Sequence, residues 1–217
     1  MAHAALSKQT TRKGNRAMKT RNAMIGLVGV VAILLITMAT ASADTNVNGT
    51  NEVLSGDYNE PFNYHIYNGG SLDLNTFKLT TAGLYLGYWG GTGDILRSGG
   101  GTIETNTLSV QKGSTFTTAS GDSFGTGDFR SGDGASLVTL GADLNKTSGN
   151  IHIDNGGEID LNSYDLSTGS ALYLGYYGGI GTLTRENGET ISVSTLFVGG
   201  GTDFSTAIGD GYGTGDV

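Results

Sequence analysis

The chain has 217 residues, and its 12 Lys and Arg against 20 Asp and Glu give a formal net charge of −8 at pH 7. This acidic balance argues against a nucleic-acid-binding protein, because phosphate groups are bound mainly by Lys and Arg. The sequence contains no Cys, so disulfides cannot stabilise the fold and an extended hydrogen-bonded core has to do so instead.

Residues 1–43 predict a secretory signal peptide. The segment holds six Lys or Arg and no acidic residue, an apolar run from Met24 to Ala39, and Ala41-Ser42-Ala43 at its end. These are the basic start, apolar core and A-x-A end of a signal peptide. The run is shorter than the roughly 20 residues of a spanning helix, so we expect cleavage and export, with a retained anchor as the alternative. Met18 begins an equally good signal peptide, so the true start is either Met1 or Met18.

Downstream of this segment the composition is typical of strands and turns. The predicted mature chain carries six Lys and Arg with all 20 Asp and Glu, a net charge of −14, which favours solubility and contact with cations outside the cell. All but three of the 38 glycines lie in this part, where they separate short runs of Leu, Ile, Val, Phe and Tyr. No segment shows an apolar helical stripe over three turns. The sequence therefore predicts an all-β chain.

A long repeat of 87–88 residues runs through the mature chain. LYLGYWGG at residues 84–91 returns as LYLGYYGG at residues 172–179, with Tyr177 in the place of Trp89. HIYNGGSLDLNTFKL likewise returns as HIDNGGEIDLNSYDL, and GDSFGTGD returns as GDGYGTGD. Repetition of this kind indicates stacked, repetitive architecture.

A shorter period of about 22 residues lies within the long repeat. Two sets of apolar strand centres recur at this spacing: Leu72, Ile95, Phe116, Leu137 and Ile159 in one, and Leu84, Leu108, Phe129, Ile151 and Leu172 in the other. Alternating patterns such as Leu-Tyr-Leu place the aliphatic side chains on one side of a strand and the polar or aromatic ones on the other. One coil cannot bury its aliphatic face alone, but stacked coils share a continuous core. We therefore predict a parallel β-solenoid of about 22-residue coils, with four coils in each long repeat and roughly eight in the mature chain.

The repeat divides the chain into four segments. Residues 1–43 are the predicted signal peptide, 44–61 an N-terminal cap or linker, 62–151 the first repeat unit and 152–217 a second, incomplete unit. Because the sequence stops within a repeat, we expect a fragment or a truncated gene product. The open ends of a solenoid expose strand edges, so self-association through these ends is also expected.

The strands and turns resemble a known family over residues 62–217. Strands of the form GG-x-[L/I]-x-L alternate with L-x-L-G and G-T-G-D turns behind a signal peptide. They are similar to the Gly-rich repeats of bacterial autotransporter passenger β-helices and of surface proteins with autotransporter-associated β-strand repeats. The resemblance implies a bacterial secreted or cell-surface β-helix, often adhesive, that is delivered by the signal-peptide export machinery.

The repeated octapeptide supplies the candidate ligand-binding residues. These are Tyr85, Tyr88 and Trp89 in the first repeat and Tyr173, Tyr176 and Tyr177 in the second. Four coils at about 4.8 Å separate the two sets by about 19 Å along one face. Aromatic side chains offer large, rigid contact areas, so the two sets can grip one extended polysaccharide or cell-envelope polymer at two points. The alternative is that the rings only cover the neighbouring turns.

Repeated acidic turns supply the candidate metal ligands. The motif G-D-x-[aromatic]-G-T-G-D places acids at Asp122 and Asp128, and again at Asp210 and Asp216. Carboxylate oxygens on Gly-rich turns are ligands that Ca²⁺ takes, so calcium is the one candidate cofactor. The alternative is that these turns hydrogen-bond only to their own backbone.

The remaining polar residues do not predict an enzyme. His65 and His152 are equivalent in the repeat and about 19 Å apart, so they cannot share a zinc ion. The acids are scattered and recur with the repeat, as acids on solvated turns do. Only six Lys and Arg remain in the mature chain to stabilise an anionic intermediate.

The sequence thus predicts an exported, non-enzymatic repeat protein that is a structural or adhesive element at the cell surface or in the extracellular matrix. The alternative is a carbohydrate-binding or polysaccharide-cleaving β-helix that uses the repeated aromatic face. A polysaccharide or another cell-envelope component is the expected partner, and a nucleic acid is not.

Overall fold

The computed structural model describes residues 44–213, which fold as a stack of parallel strands. Every strand pairing in this range is parallel, and no helix occurs in it. In particular, these residues include no helix of the length and apolarity that crossing a membrane would need. The predicted signal peptide and the candidate ligand Asp216 lie outside the described residues.

Within residues 44–213 the stack contains nineteen strands. In chain order they are β1 Thr45–Asn48, β2 Asn51–Val53, β3 Tyr58–Asn59, β4 Asn63–Tyr67, β5 Gly70–Asp73, β6 Lys78–Leu86, β7 Gly93–Leu96, β8 Thr102–Val110, β9 Thr115–Thr117, β10 Ser123–Phe124, β11 Phe129–Ser131, β12 Leu137–Thr139, β13 Leu144–Lys146, β14 Ile151–Ile153, β15 Glu158–Asp160, β16 Leu166–Leu174, β17 Thr182–Thr184, β18 Ile191–Val198 and β19 Gly211–Tyr212. The four longest strands, β6, β8, β16 and β18, each contribute to two faces of the stack, because their two halves pair with different neighbours.

The stack has three faces, which the chain visits in turn. The first face consists of β1, β4, β11, β14 and the C-terminal halves of the four long strands. The second face consists of two sheets, β2-β5-β7 and β9-β12-β15-β17. The third face consists of β3, β10, β13, β19 and the N-terminal halves of the long strands.

The coil length agrees with the predicted period. Positions in register on successive coils of the first face are 65, 85, 109, 130 and 152, so the chain returns to the same column at nearly even intervals. About eight such coils follow one another in the described range. The prediction of an all-β parallel solenoid with coils of this length is confirmed.

The aliphatic core lies inside the stack, where each coil places side chains directly above those of the coil before it. On the first face, one inward column runs in register through Leu84, Leu108, Phe129, Ile151 and Leu172. All five are at most 1% exposed. This confirms the second predicted set of strand centres, and the burial of these side chains is the main contribution to stability.

The other predicted set of strand centres was wrong at one position. On the second face the register joins Phe116 to Val138 and Val138 to Ile159, and Val138 is fully buried. Leu137 instead pairs with Glu158 and is only partly buried. Two apolar residues stand side by side here, so a period of 2 does not decide which of them faces inward.

Residues 44–61, predicted as a cap or linker, contain three strands of the solenoid. β1, β2 and β3 pair with β4, β5 and β6 of the next coil. Val47 of β1 is fully buried and in register with Ile66. The segment therefore forms the first described coil and extends the core.

Candidate functional site

An outward-facing column of side chains on the first face, here named the outer column, carries part of the predicted aromatic site. One residue of each coil contributes to it, in the order Asn46, His65, Tyr85, Ser109, Arg130, His152, Tyr173 and Phe197. A histidine followed by a tyrosine occurs twice in this order, and the second pair lies four coils beyond the first. The long repeat of the sequence thus becomes a repeat along one face.

A Gly-rich corner follows each tyrosine of the outer column and explains why the octapeptide is repeated. Gly87, Gly90 and Gly91 have φ values of 73°, 126° and 66°, a region that residues with a Cβ rarely adopt. A Cβ at Gly87 would lie 2.2 Å from the Gln111 carbonyl oxygen. The equivalent glycines of the second repeat have the same conformation. The corner therefore projects the two aromatic residues between its glycines towards solvent.

The first aromatic cluster, Tyr85, Tyr88 and Trp89, is built on the imidazole of His65. The His65 ring stacks on Tyr85 with centroids 4.8 Å apart and on Trp89 with centroids 4.1 Å apart, at interplanar angles of 14° and 12°. Tyr88 packs edge-on against Tyr85 at 5.3 Å, and Tyr67 packs edge-on against Trp89 at 5.4 Å. Stacked and edge-to-face pairs are favourable, so these rings hold one another in place.

The second aromatic cluster, Tyr173, Tyr176 and Tyr177, also packs on a buried histidine. The His152 ring stacks on Tyr173 at 4.8 Å and 5°, and Tyr173 stacks on Phe197 of the next coil at 4.8 Å and 7°. Tyr176 and Tyr177 meet edge-to-face at 5.1 Å. Tyr177 also contacts His152, with centroids 5.2 Å apart. A continuous stack of rings therefore crosses three coils.

The corner rings of both clusters keep much of their surface accessible. The exposed fractions are 47% for Tyr88, 53% for Trp89, 53% for Tyr176 and 61% for Tyr177. Tyr85 and Tyr173 lie half-buried next to them. The structure thus brings the six predicted aromatic residues together as two groups of three, about 19 Å apart at about 4.8 Å per coil.

The two histidines are buried supports of the clusters. His65 is 4% exposed and His152 is 7% exposed. Nε2 of His65 lies 3.3 Å from Asp44 Oδ2, and Nε2 of His152 lies 3.4 Å from Asp128 Oδ2. Burial lowers the pKa of both imidazoles below the usual value, although the neighbouring carboxylate acts in the opposite direction. At neutral pH both rings are therefore uncharged stacking partners.

Asp122 and Asp210, two of the candidate calcium ligands, are each bound by an arginine. The carboxylate of Asp122 accepts hydrogen bonds from Arg97 Nη1 at 2.9 Å and Nη2 at 2.7 Å, and from two backbone N–H groups at 2.8 Å. Arg185 Nη1 binds both oxygens of Asp210 at 2.9 Å. Each of the two Asp side chains is 2% exposed. Because their oxygens already accept strong hydrogen bonds, these pairs support the corners of the coils.

Asp128, the third described candidate, lies on the first face beside His152. Its side chain is 52% exposed, and its Oδ1 accepts a hydrogen bond from the Asn150 N–H at 3.1 Å. Residues 44–213 contain no group of three or more His, Cys, Asp or Glu arranged to hold a metal ion. The structure therefore does not bring the three described acids together.

A groove of about 310 Å³ opens beside the second cluster. It is lined by Asp128, Arg130, His152, Asp154 and Tyr177. Arg130 Nη2 donates a hydrogen bond to Asp154 Oδ1 at 3.0 Å, and the Asp154 side chain is 1% exposed. Two buried polar atoms of this pair, Arg130 Nε and Asp154 Oδ2, have no hydrogen-bond partner within residues 44–213.

Arg130 and Asp154 are site residues that the sequence-based predictions missed. Their signal is a departure from the repeat, because His-Ile-Tyr at residues 65–67 becomes His-Ile-Asp at residues 152–154. The predicted sites came from positions that the two repeats share, and this pair lies at positions where they differ.

The sequence-based predictions also missed Lys146. This residue lies away from the aromatic face. Its side chain on the third face is 3% exposed, and its Nζ donates a hydrogen bond to the Gly125 carbonyl oxygen at 2.7 Å. Burial lowers the pKa of Lys146 to about 8, although the Asp128 carboxylate acts in the opposite direction. The lysine is in register with Thr168, so it occupies a position where the next coil has a small hydroxyl residue.

No protein-family model matches this chain, and no curated protein or solved structure is significantly similar to it. The resemblance to autotransporter passengers therefore stays a prediction that rests on the repeats and turns. The function has to be argued from the geometry of the first face.

Proposed function

We propose that this chain acts outside the cell as a structural and adhesive element that binds polysaccharide along its first face. The observation that carries the proposal is the pair of exposed aromatic clusters, four coils apart in register on one face. Its location outside the cell rests on the predicted signal peptide.

The exposed rings have the chemistry that sugar recognition needs. A pyranose has a flat C–H face and a rim of hydroxyl groups, whereas a Tyr or Trp side chain combines a flat apolar area with a polar tip. Trp89 and Tyr177 each leave more than half of their surface open to solvent. Scattered exposed apolar residues are ordinary on protein surfaces, but three aromatic rings grouped at the same corner of two repeats are not scattered.

The rings are also held rigidly before any ligand arrives. Trp89 and Tyr85 both stack on the buried His65, and Tyr173 lies between His152 and Phe197. Binding therefore costs little side-chain entropy, which raises affinity without further contacts.

The spacing of the clusters suits a polymer better than a small molecule. When one polymer occupies both clusters, the second contact becomes intramolecular, and the combined affinity exceeds that of either cluster by about 10²–10⁴. The parallel stack fixes the separation of about 19 Å, because each coil is hydrogen-bonded to the next. An extended polysaccharide lying along the solenoid axis meets this requirement.

The charge of the chain favours an uncharged polymer. The predicted mature chain has a net charge of −14, so it repels nucleic acids and polyuronates at long range. Neutral polysaccharides are free of this repulsion.

Polysaccharide cleavage is the second candidate function, and the groove beside the second cluster is the observation that favours it. Glycosidases use two carboxyl groups about 5 to 9.5 Å apart on either side of the sugar. Asp128 and Asp154 both line the groove. Asp154 is 1% exposed and is held by Arg130, however, which suits binding better than proton transfer. Release of reducing ends from a bound polysaccharide would be the result that indicates cleavage.

The double substitution Tyr88→Ala/Trp89→Ala tests the proposal. We expect retention of the purified chain on the polysaccharide that binds it most strongly, chosen from a panel of insoluble neutral polysaccharides, to fall by about tenfold or more, because two-point contact is lost. The unfolding temperature should fall by only a few degrees, because about half of each ring is exposed and the main loss is the stacking of Trp89 on His65. Pull-down on the insoluble polymer and circular dichroism give the two readouts.

Leu96→Ala is the matched control for this experiment. Leu96 is 50% exposed and lies on the second face, in β7, so the change removes exposed apolar surface away from the clusters. The control should bind as the wild type does. Unchanged retention of the double variant, or equal loss in both variants, would contradict the proposed role of the first face.

A further inference from the structure

The two aromatic clusters share a framework of one histidine and one aspartate. Asp44 and Asp128 each lie beside the histidine of their cluster, at 3.3 Å and 3.4 Å. Each also accepts a hydrogen bond from the backbone N–H of an asparagine in the following coil, at 3.1 Å in both cases. The two sites are therefore built alike at this level.

One difference between the two sites is a pair of charged residues that the second site has and the first site lacks. In the outer column, Arg130 precedes His152 by one coil, whereas Asn46 precedes His65. Two residues after the histidine, the second site has Asp154 and the first has Tyr67. The charged pair that lines the groove is thus found in only one of the two sites, although both have the same framework of histidine and aspartate.

The two sites also differ at a third position, which contacts the charged pair. A Cβ at Gly132 would lie 2.6 Å from Asp154 Oδ1 and 3.2 Å from Arg130 Nε. Any larger residue would displace the pair, and the first site has Asn48 at the equivalent position. Gly132 therefore leaves the space that the charged pair occupies.

The charged pair leaves one hydrogen-bond donor and one acceptor unpaired, and a single hydroxyl group can pair with both. Arg130 Nε is a buried donor and Asp154 Oδ2 is a buried acceptor, and neither has a hydrogen-bond partner in the part of the chain that the structure describes. Buried polar atoms without partners cost free energy, and a hydroxyl group both accepts and donates hydrogen bonds. The Arg130 side chain is 34% exposed, so it has room to turn when a ligand enters the groove.

We infer that the groove is a subsite for one neutral pyranose unit of the polysaccharide. The first cluster has no such subsite. Arg130 Nε and Asp154 Oδ2 are both closed to solvent in this conformation, so the Arg130 side chain turns when the sugar enters. A sugar hydroxyl then accepts a hydrogen bond from Arg130 Nε and donates one to Asp154 Oδ2. The ring of Tyr177, at the edge of the groove, covers the C–H face of the same sugar. The inference rests on the proposed function and names the class of sugar that the first face selects.

The charges around the groove select an uncharged sugar. Asp128 and Asp154 carry two negative charges, Arg130 carries one positive charge, and His152 is an uncharged ring beside them. A uronate carboxylate would enter a site with a net negative charge and would compete with Asp154 for the guanidinium of Arg130. A neutral pyranose satisfies both unpaired atoms without adding charge.

The double substitution Arg130→Asn/Asp154→Tyr tests the subsite, because it gives the second site the residue pair that the first site already accommodates. The probes are soluble hexasaccharides of neutral glucan, mannan and galactan, with oligogalacturonate as the acidic probe. Titration calorimetry should show binding of at least one neutral probe to the wild type, and a loss of about tenfold or more in the variant. The unfolding temperatures of the two proteins should agree closely.

A second variant keeps the inference testable if the first one folds poorly. Asn46→Arg/Asn48→Gly/Tyr67→Asp installs the charged pair and its space in the first site, and it also removes the edge contact of Tyr67 with Trp89. Compared with Tyr67→Asp alone, it should strengthen binding of the same neutral probe severalfold. Unchanged affinity in both variants overturns the subsite, as does a preference of the wild type for oligogalacturonate. If Tyr88→Ala/Trp89→Ala weakens retention while these variants do not, the proposed function stands without the subsite. If the wild type binds no polysaccharide at all, both fail.

Discussion

Replacing Asp122 with Ala is expected to lower the free energy of unfolding by about 3–5 kcal/mol. The carboxylate of Asp122 is 2% exposed and is the partner of Arg97, which is itself only 14% exposed. Its removal leaves a buried guanidinium without a counter-charge. It also leaves the backbone N–H groups of Ile103 and Ala119 without their acceptor. A charge that is buried and unpaired costs far more than the pair contributes when it is intact.

Denaturant unfolding followed by circular dichroism measures this effect, and Glu104→Ala is its matched control. Glu104 pairs with Lys78 on the surface, where the two side chains are 51% and 45% exposed. Exposed ion pairs contribute about 0–1 kcal/mol, so the control should lose no more than that. Similar losses in the two variants would show that Arg97 and Asp122 do not support the fold as described.

Replacing Phe129 with Ala is expected to cost about 3–5 kcal/mol of unfolding free energy. Phe129 is fully buried and stands in the inward column of the first face, in register with Leu108 and Ile151. Its ring also meets that of Phe124 edge-on at 5.0 Å. The substitution opens a cavity in the middle of the stack, where neighbouring coils cannot collapse to fill it without breaking their hydrogen bonds.

Phe129→Leu separates loss of packing from loss of the ring. Leucine occupies the same column in other coils, at positions 84, 108 and 172, so this variant should lose less than about 1.5 kcal/mol. Both variants should be measured by denaturant unfolding at the same pH. Equal and small losses would mean that position 129 does not lie in a packed core.

Much of the fold follows from the period of the apolar residues. The column from Leu84 to Leu172 was predicted residue by residue, because each of its members is followed on the strand by a polar or aromatic residue. Where that alternation fails, as at Leu137 and Val138, the prediction fails too. Periodicity locates strands well, and it assigns the inward side only when the neighbours differ in polarity.

The grouping of the aromatic residues could also be predicted from the sequence. A residue between two inward leucines has to point outward, and the glycines after it predict a tight corner, so Tyr85 and Trp89 had to share one face. The role of His65 could not be predicted from the sequence. Its stacking partner Trp89 lies in the next coil, and only the register of the two coils brings the rings together.

The acidic residues show the limits of motif reasoning most clearly. Asp122 and Asp210 recur because each binds an arginine 25 residues earlier in the chain. Arg97 and Arg185 are equivalent in the long repeat, but nothing in the local sequence connects them to the aspartates. The two partners lie far apart in the chain, so their pairing appears only when the coils are stacked.

The affinity of the purified chain for oligosaccharides of increasing length tests the proposed function most directly. The oligosaccharides would be cut from the neutral polysaccharide that the chain retains, and binding would be followed by titration calorimetry. If the two clusters grip one polymer, the affinity should rise by about 10²-fold or more once the oligosaccharide spans the roughly 19 Å between them. Affinity that does not depend on length across this distance, or no binding at any length, would contradict the account.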